Sequence, residues 1–233
     1  AKATSYQDLV RRCQQLNFGA DFVYWTFDGM DSRAQRRALY PEYKNTASRA
    51  KNKQDPTKYE LLRQFKNEDL PNVGGIFIVE KPGVEADDII RSLVRLVAGP
   101  NVDIEIASND GDLVDLTALG GVTQPQGKMA PCCSCPTEIP LYKTLVGDTG
   151  DNIKGLKGFG DKAWEKLTAA ERVCIQTNLD ENKADFSYFA DFDAKLAKKR
   201  TENWEQVKLW YKIVSPMWVS NEDLLKNLRE YPR

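Results

Sequence analysis

Short apolar runs alternate along this chain with stretches in which apolar residues recur at helical spacing. The apolar runs predict buried strands over residues 22–27, 76–79 and 102–107. The periodic stretches predict amphipathic helices over residues 1–17, 58–65, 86–97 and 203–214. Because strands alternate with helices, we predict an α/β fold with a mostly parallel central sheet flanked by helices.

Acidic residues follow the predicted strands. Asp28 comes directly after the first strand, Glu85 opens the helix after the second, and Asp110 follows the third. Ligands of a parallel sheet bind outside the carboxyl ends of its strands, so we expect these acids to meet at one edge. Each acid taken singly is a helix cap or a turn residue. Their convergence favours cations, because several carboxylates at one point repel each other.

The 233-residue chain contains no histidine. That composition excludes a Ser-His-Asp triad and a His-ligated zinc site. Carboxylate oxygens are the ligands that Mg²⁺ or Mn²⁺ prefer. We therefore predict a site for two such ions, about 4 Å apart, that would clamp the oxygens of a phosphodiester. Its predicted ligands fall in four short clusters and are Asp28, Glu85, Asp87, Asp88, Asp110, Asp112, Asp148 and Asp151.

The fourth acidic cluster lies in a glycine-rich segment, residues 147–162. Asp148 and Asp151 are three positions apart, so one helical turn would project both side chains the same way. The glycines that follow are typical of a helix-hairpin-helix turn, in which backbone N–H groups and a helix N-terminus approach a phosphate. The residues predicted to contact phosphate there are Gly155, Gly158, Gly160 and Lys162.

The net charge is −1, but the basic residues are unevenly distributed. Residues 33–53 carry a single acid, Glu42, among many basic side chains, with Tyr40 and Tyr43 between them. Such a strip is typical of a surface that binds a phosphate backbone. If the basic run stood alone, a basic helix facing solvent would be the better interpretation. Because a separate set of acids lies beside it, we favour a surface that binds a phosphate backbone. The basic residues are Arg33, Arg36, Arg37, Lys44, Arg49, Lys51 and Lys53.

The five cysteines do not form a convincing disulfide framework. Four of them, Cys132, Cys133, Cys135 and Cys174, are interpreted as reduced thiols, with a four-thiolate zinc site as the alternative. The chain has no apolar run of membrane-spanning length, and its start does not resemble a signal peptide. We therefore expect a cytoplasmic protein without membrane contact, in the bacterial host cell if a phage encodes it.

Four motifs in order resemble those of the structure-specific 5' nucleases. This family comprises flap endonucleases, phage 5'-3' exonucleases and the 5' nuclease domain of bacterial DNA polymerase I. The motifs lie between about residues 22 and 167. The first comprises residues 27–29, Arg36 and residues 40–44, and the other three are residues 83–88, 108–113 and 147–160. The resemblance implies a PIN-like nuclease core over residues 1–140 and a helix-hairpin-helix region over residues 141–233. It also implies a helical arch over about residues 31–66.

The resemblance implies cleavage of phosphodiester bonds near the 5' end of branched DNA, with RNA primers as further substrates, in replication or recombination. Glu85, Asp87, Asp88, Asp110 and Asp112 would hold the first ion, Asp148 and Asp151 the second, and Asp28 would lie beside the metals. Lys44 and Arg36 match the basic residues of the arch, which would steer the scissile phosphate and offset charge in the transition state. Tyr43 would stack on a nucleobase or pack the arch, and the remaining basic residues of the strip would bind DNA. A K⁺ ion at the helix-hairpin-helix and a monomeric state are further expectations.

The sequence departs from the family pattern in two places. In the family a central strand ending in a metal-binding Asp precedes the first helix, and this strand is absent from the present sequence. We expect a preceding segment to supply it; another polypeptide could do so instead, or the chain could be a catalytically impaired relative that binds DNA without cutting it. The second departure is Ala47, where the family carries an arch Arg that Arg49 would replace.

Overall fold

A computed structural model describes residues 19–47, 56–130, 132–183 and 203–232, together with Arg11 and Gln15. A π-helical turn, Phe65–Asp69, joins the helices Pro56–Gln64 and Leu70–Val73, and 3₁₀ helices span Gly111–Ala118 and Pro136–Glu138. In chain order the helices and strands are β1 (Val23–Asp28), α1 (Ala34–Leu39), α2 (Pro56–Gln64), α3 (Leu70–Val73), β2 (Ile76–Lys81), α4 (Ala86–Val97), β3 (Ile104–Glu105), β4 (Val122–Thr123), α5 (Ile139–Val146), α6 (Asp161–Glu165), α7 (Ala169–Asp180), α8 (Trp204–Val214), α9 (Asn221–Lys226) and β5 (Leu228–Tyr231).

The chain folds as two compact units. Unit 1 comprises Ala1–Gln35, Ala47–Val97 and Met217–Arg233, and unit 2 comprises Arg36–Thr46 and Ala98–Pro216. The predicted division between residues 140 and 141 stays a prediction. No helix in the described part of the chain is long and apolar enough to cross a membrane.

Unit 1 contains a three-stranded sheet in the order β1-β2-β5. Strand β1 runs parallel to β2, with Val23 opposite Ile76 and Asp28 opposite Lys81, and β5 is antiparallel to β2. Helix α4 packs on it because apolar residues recur on one helix face, and Ile89 and Leu93 are buried there with Val79 of β2. This parallel pair places the ends of β1 and β2 side by side.

Unit 2 is mainly helical. Its core surrounds the fully buried Trp164, with Leu141 of α5, Ile175 of α7 and Val207 of α8. The α/β class and a sheet flanked by helices are confirmed. The predicted third strand differs in its partner, since β3 pairs with β4 in a separate two-stranded parallel sheet. Asp103 and Glu105 alternate with apolar residues and are exposed, so this is a half-exposed strand rather than a central one.

The other predicted elements agree closely with the structure. Helix α4 has the predicted bounds, β1 and β2 each begin within one residue of the prediction, and α8 begins one residue later. The predicted N-terminal helix over residues 1–17 lies outside the described residues except for Arg11 and Gln15, which are helical.

Candidate metal centre and arch base

Three carboxylates of unit 2 form a set with the geometry of a metal site. Oxygens of Asp112, Asp148 and Asp151 all lie within 4.8 Å of one another, the one such set among the residues described. Asp112 lies in the first turn of a 3₁₀ helix, and the other two follow α5. Two segments distant in sequence therefore present hard oxygen ligands to one point.

A tight hairpin fixes Asp148 and Asp151. The backbones of Asp148 and Ile153 exchange two hydrogen bonds, each of 2.8 Å. One carboxylate oxygen of Asp148 accepts the N–H groups of Gly150 at 2.7 Å and Asp151 at 3.1 Å. These bonds orient the Asp148 carboxylate, and its second oxygen contacts the Lys143 ammonium. Asp148 and Asp151 do lie close together, as their spacing predicted. A hairpin, and not the predicted helical turn, brings them together.

The Lys143 ammonium lies between two of the three acids. It contacts a carboxylate oxygen of Asp112 and one of Asp148. Burial disfavours the charged lysine, but the two carboxylates outweigh burial and raise the pKa of Lys143. Burial likewise opposes ionisation of Asp148, yet Lys143 and the backbone N–H donors hold its pKa below the usual range. The Asp148 carboxylate is therefore ionised at neutral pH.

The other two acids are harder to ionise. Burial raises the pKa of Asp151 to about 6, with a contribution from Asp148 that the nearby Lys44 only partly offsets. Burial also raises the pKa of Asp112, against the effect of Lys143 and with a contribution from Asp110. Repulsion of this kind is relieved when a cation binds between the carboxylates. The donor set therefore fits a hard divalent cation such as Mg²⁺.

Stabilisation of the protein by Mg²⁺ is expected to depend on pH. The folded-state pKa of Asp151 lies above its usual value, so its proton stabilises the metal-free fold at low pH, and this contribution is lost as pH rises through about 6. A bound cation requires the carboxylate. We expect the apparent Mg²⁺ affinity, measured from the shift of the melting temperature, to be roughly four- to tenfold lower at pH 5.5 than at pH 7.5. An affinity that does not change with pH would contradict this assignment.

Asp110 serves locally as a helix cap. Its side chain accepts the backbone N–H of Asp112 at 3.0 Å, and this bond starts the 3₁₀ helix Gly111–Ala118. Asp110 thus has the contact of a helix cap, the role that an acid at this position has when it is taken singly. Its role as a metal ligand stays a prediction.

The acids of unit 1 lie where β1 and β2 end. The Asp28 carboxylate accepts the N–H of Ala86 at 2.9 Å and so caps the first turn of α4. Arg33 lies 4.0 Å from Asp28 and 3.7 Å from the buried Glu85. The guanidinium thus offsets the negative charge of two predicted metal ligands. DNA binding by Arg33 stays a prediction. Convergence of all eight acids stays a prediction.

Asp88 is buried, and one of its carboxylate oxygens accepts the N–H of Met217 at 2.9 Å. This contact fixes the chain entering α9 to the first turn of α4. Asp87 is half-buried in the same turn. The prediction that both ligate metal remains untested.

Tyr43 is packed inside unit 2. It is 2% exposed and lies in a core with Ile153, Trp210 and Ile213. A side chain so buried cannot stack on a nucleobase in this conformation, so of its two predicted roles the packing role is the one observed. Lys44 and Arg36 both lie over its ring, at 5.1 and 5.7 Å from the centroid.

Arg36 is buried as well. Its guanidinium donates to the carbonyl of Ile213 at 2.9 Å and to that of Ser215 at 3.3 Å, at the C-terminal end of α8. A cation is favourable there because the last helical carbonyls carry partial negative charge. Arg37 also bonds inward, to the carbonyl of Tyr43 at 3.2 Å. A catalytic role for Arg36 and DNA binding by Arg37 stay predictions.

The predicted helix-hairpin-helix turn is present in outline. Gly155 and Gly158 have positive φ, of 65° and 76°, whereas Gly160 does not. Helix α6 is only five residues long and has Asp161 in its first turn, which weakens attraction for a phosphate. Lys162 is exposed beside it. Arg49, Lys51 and Lys53, predicted to bind DNA, lie outside the described residues.

Two residues of this region escaped the sequence interpretation. Lys143, in the last turn of α5, contacts two of the three acids. The side-chain amide of Asn152 donates to the carbonyl of Glu42, and its backbone carbonyl accepts the hydroxyl of Tyr40. The only signal was position, since Lys143 lies one helical turn before a Gly-Asp motif and Asn152 directly follows an acid.

The cysteine cluster remains a set of thiols. Cys132, Cys133, Cys135 and Cys174 are free, and within the described ranges they do not contribute to a set of three or more metal ligands. Burial raises the pKa of the Cys133 thiol to about 12, which keeps it protonated and inert. The interpretation as reduced thiols agrees with this geometry.

Comparison with known proteins connects this geometry to one family. The family model described as "5'-3' exonuclease, N-terminal resolvase-like domain" matches residues 5–127. A 5'-3' exonuclease of Mycoplasma pneumoniae is 31% identical over 196 residues, which cover 69% of this chain and 64% of that protein. A DNA polymerase I of Caldicellulosiruptor bescii is 28% identical, and the match covers 83% of this chain and 26% of the polymerase. The chain thus spans less than two thirds of either relative.

Solved structures show the same fold. The T5 D15 protein co-crystallised with metal ions aligns with a TM-score of 0.61 and 18% identity, covering 90% of this chain and 82% of that one. A complex of T5 D15 flap endonuclease with DNA and metal ions aligns with a TM-score of 0.56 and 18% identity, over 92% of this chain and 82% of that one. At this identity the likeness concerns the fold alone.

Proposed function

The chain belongs to the 5'-3' exonuclease family, whose N-terminal resolvase-like domain it contains, and from this premise we propose that it is a divalent-metal-dependent 5' nuclease. The proposed reaction hydrolyses phosphodiester bonds near the 5' end of branched DNA. One observation carries the proposal, namely the set of Asp112, Asp148 and Asp151 with Lys44 beside it. The relatives named as 5'-3' exonucleases support it.

We propose Mg²⁺ or Mn²⁺ as the cofactor, with two ions in the complete site. Divalent ions at such a site activate water and stabilise charge on the attacking and leaving oxygens. Asp112, Asp148 and Asp151 would hold one ion, and the remaining predicted acids would complete the pair. The likeness to a T5 5'-exonuclease structure with bound divalent metal ions supports divalent ions. A K⁺ ion at the helix-hairpin-helix is a further proposal.

Lys44 would act on the scissile phosphate. Its ammonium lies 3.8 Å from an Asp151 carboxylate oxygen, and its side chain is 12% exposed. Held at the rim of the acidic set, it can offset the charge that develops on a phosphate in the transition state. Lys143 would instead neutralise Asp112 and Asp148, because it contacts both.

The proposed substrate is DNA with a 5' flap, a branch or a duplex end, bound by a monomer. An RNA-DNA hybrid is a further proposed substrate. The DNA complex of a structural neighbour supports DNA binding. The proposed duplex contacts are the glycine turn at Gly155, Gly158 and Gly160, and single-strand contacts would come from the arch over about residues 31–66. We propose that the reaction takes place in the cytoplasm.

Replacing Lys44 tests its assignment. Lys44→Ala is expected to lower kcat for cleavage of a 5'-flap duplex by on the order of a hundredfold, with a smaller change in KM, because the ammonium acts in the transition state. Lys212→Ala, which removes an exposed lysine of α8, is the matched control. Equal rates for Lys44→Ala and the parent protein would refute the catalytic role of Lys44.

A catalytically impaired relative that binds DNA without cutting it is the second candidate, because the Lys143 ammonium already contacts two of the three acids. A gel-shift titration run beside the cleavage assay separates the two. The proposed nuclease cuts a 5' flap and leaves a 3' flap of equal length intact. A protein that shifts the 5' flap at saturating Mg²⁺ without cutting it is the binding module.

A further inference from the structure

A short turn and the metal-site hairpin are joined by hydrogen bonds in both directions. The turn is residues 40–44, within the predicted arch, and the hairpin is residues 148–153. The side-chain amide of Asn152 donates to the carbonyl of Glu42 at 2.9 Å. In return, the carbonyl of Asn152 accepts the Tyr40 hydroxyl at 3.1 Å. One residue of the hairpin thus bonds to two residues of the turn.

Two further contacts join the same segments. The N–H of Lys44 donates to the carbonyl of Asp151 at 3.1 Å, and the Lys154 ammonium lies 3.4 Å from the Glu42 carboxylate. Both segments lie within unit 2. The turn is therefore held at its beginning, middle and end by residues that adjoin the acidic set.

The turn needs such support because its last residue is strained. Lys44 has φ of 52°, in the left-handed region that residues with a Cβ avoid. That backbone conformation directs its side chain over the Tyr43 ring and toward Asp151. Asn152 also has positive φ, of 60°, which asparagine tolerates better than most residues. The residue type at position 152 thus suits both its conformation and its bonds.

We infer that Asn152 is a positioning residue that holds the turn 40–44 on the metal-site hairpin and thereby fixes the Lys44 ammonium beside Asp151. This inference rests on the proposed function and deepens it, since Asn152 would act on cleavage through Lys44. The Asn152 bond to Glu42 is exposed to solvent. Its loss therefore has little effect on stability and mainly frees the turn.

A double-mutant cycle tests this coupling. Asn152→Gly suits the positive φ and removes the amide, and Tyr40→Phe removes only the hydroxyl that donates to Asn152. Each is expected to lower kcat for 5'-flap cleavage by about five- to fiftyfold in the parent, and less than twofold in the Lys44→Ala background. Asn45→Ala, an exposed amide next to Lys44, is the matched control. Equal losses in both backgrounds would overturn the inference, because Asn152 would then not act through Lys44.

A second readout does not require cleavage. Lys44 is largely covered, whereas Lys162 is exposed, so acetylation of each by an amine-reactive ester, followed by mass spectrometry, gives an internal comparison. In Asn152→Gly, the labelling rate of Lys44 relative to Lys162 is expected to rise severalfold, with the melting temperature changed by no more than a few degrees. An unchanged ratio overturns the inference even if the parent cuts DNA. If the parent cuts no DNA, the proposed function fails, and the labelling ratio alone decides whether Asn152 positions Lys44.

Discussion

Asp151→Asn is expected to abolish Mg²⁺-dependent DNA cleavage while making the metal-free protein more stable. The side chain is 12% exposed, and burial raises its pKa to about 6. At pH 7.5 the folded protein therefore keeps an ionised carboxylate in a site that favours the neutral form, a cost of roughly 2–3 kcal/mol. Asparagine has the same shape without the charge. We expect the free energy of unfolding to rise by about 1–2 kcal/mol, because Lys44 loses its partner and offsets part of the gain.

Cleavage should fall by at least about a thousandfold in the same variant, since one of three ligand oxygens loses its negative charge. Chemical denaturation in EDTA measures stability, and a flap-cleavage assay measures kcat. Asp103→Asn changes an exposed acid of the same unit and should affect neither quantity. A less stable Asp151→Asn protein would show that this carboxylate supports the fold rather than a cation.

Gly155→Ala is expected to lower the free energy of unfolding by about 3 kcal/mol or more. Gly155 has φ of +65°, and an added Cβ would lie 2.5 Å from the backbone of Val146 and 2.7 Å from the nitrogen of Gly147. Both neighbours are backbone atoms at the end of α5, directly before Asp148, so they cannot yield without moving the metal-site hairpin. The expected result is a lower denaturation midpoint together with weaker stabilisation by Mg²⁺.

Gly160→Ala is the matched control for this change. Its Cβ would meet nothing within 4 Å, and its φ of −108° suits any residue. The free energy of unfolding should therefore stay within about 0.5 kcal/mol of the parent value. If both glycines tolerate alanine equally, the close approach of Gly155 to α5 is not a constraint on the fold.

Local patterns predicted the parts of the site that depend on neighbours in sequence. The bounds of α4 follow from its apolar periodicity, and Asp148 with Asp151 could be paired because their spacing and the glycines around them define one compact segment. The end of β1 at Asp28 was likewise visible, since an apolar run stops there. In each case the sequence contains the whole cause of the local structure.

Tertiary packing decided what the sequence could not. Tyr43 and Arg36 belong to a basic strip typical of a DNA-binding surface, yet both are buried against α8, about 170 residues away in the chain. Nothing near position 36 indicates that the carbonyls of Ile213 and Ser215 will be its partners. Lys143 was missed for the same reason, because its role depends on Asp112, far from it in sequence.

The carboxylates of unit 2 are proposed to bind a divalent cation that DNA cleavage by this protein requires. The most direct test of this claim is cleavage of a 5'-flap duplex by the purified protein as a function of Mg²⁺ concentration. We predict cleavage near the junction that saturates with Mg²⁺, stops in EDTA and returns when Mg²⁺ is added back. A protein that binds the flap tightly but leaves it uncut at saturating Mg²⁺ and Mn²⁺ would contradict the claim.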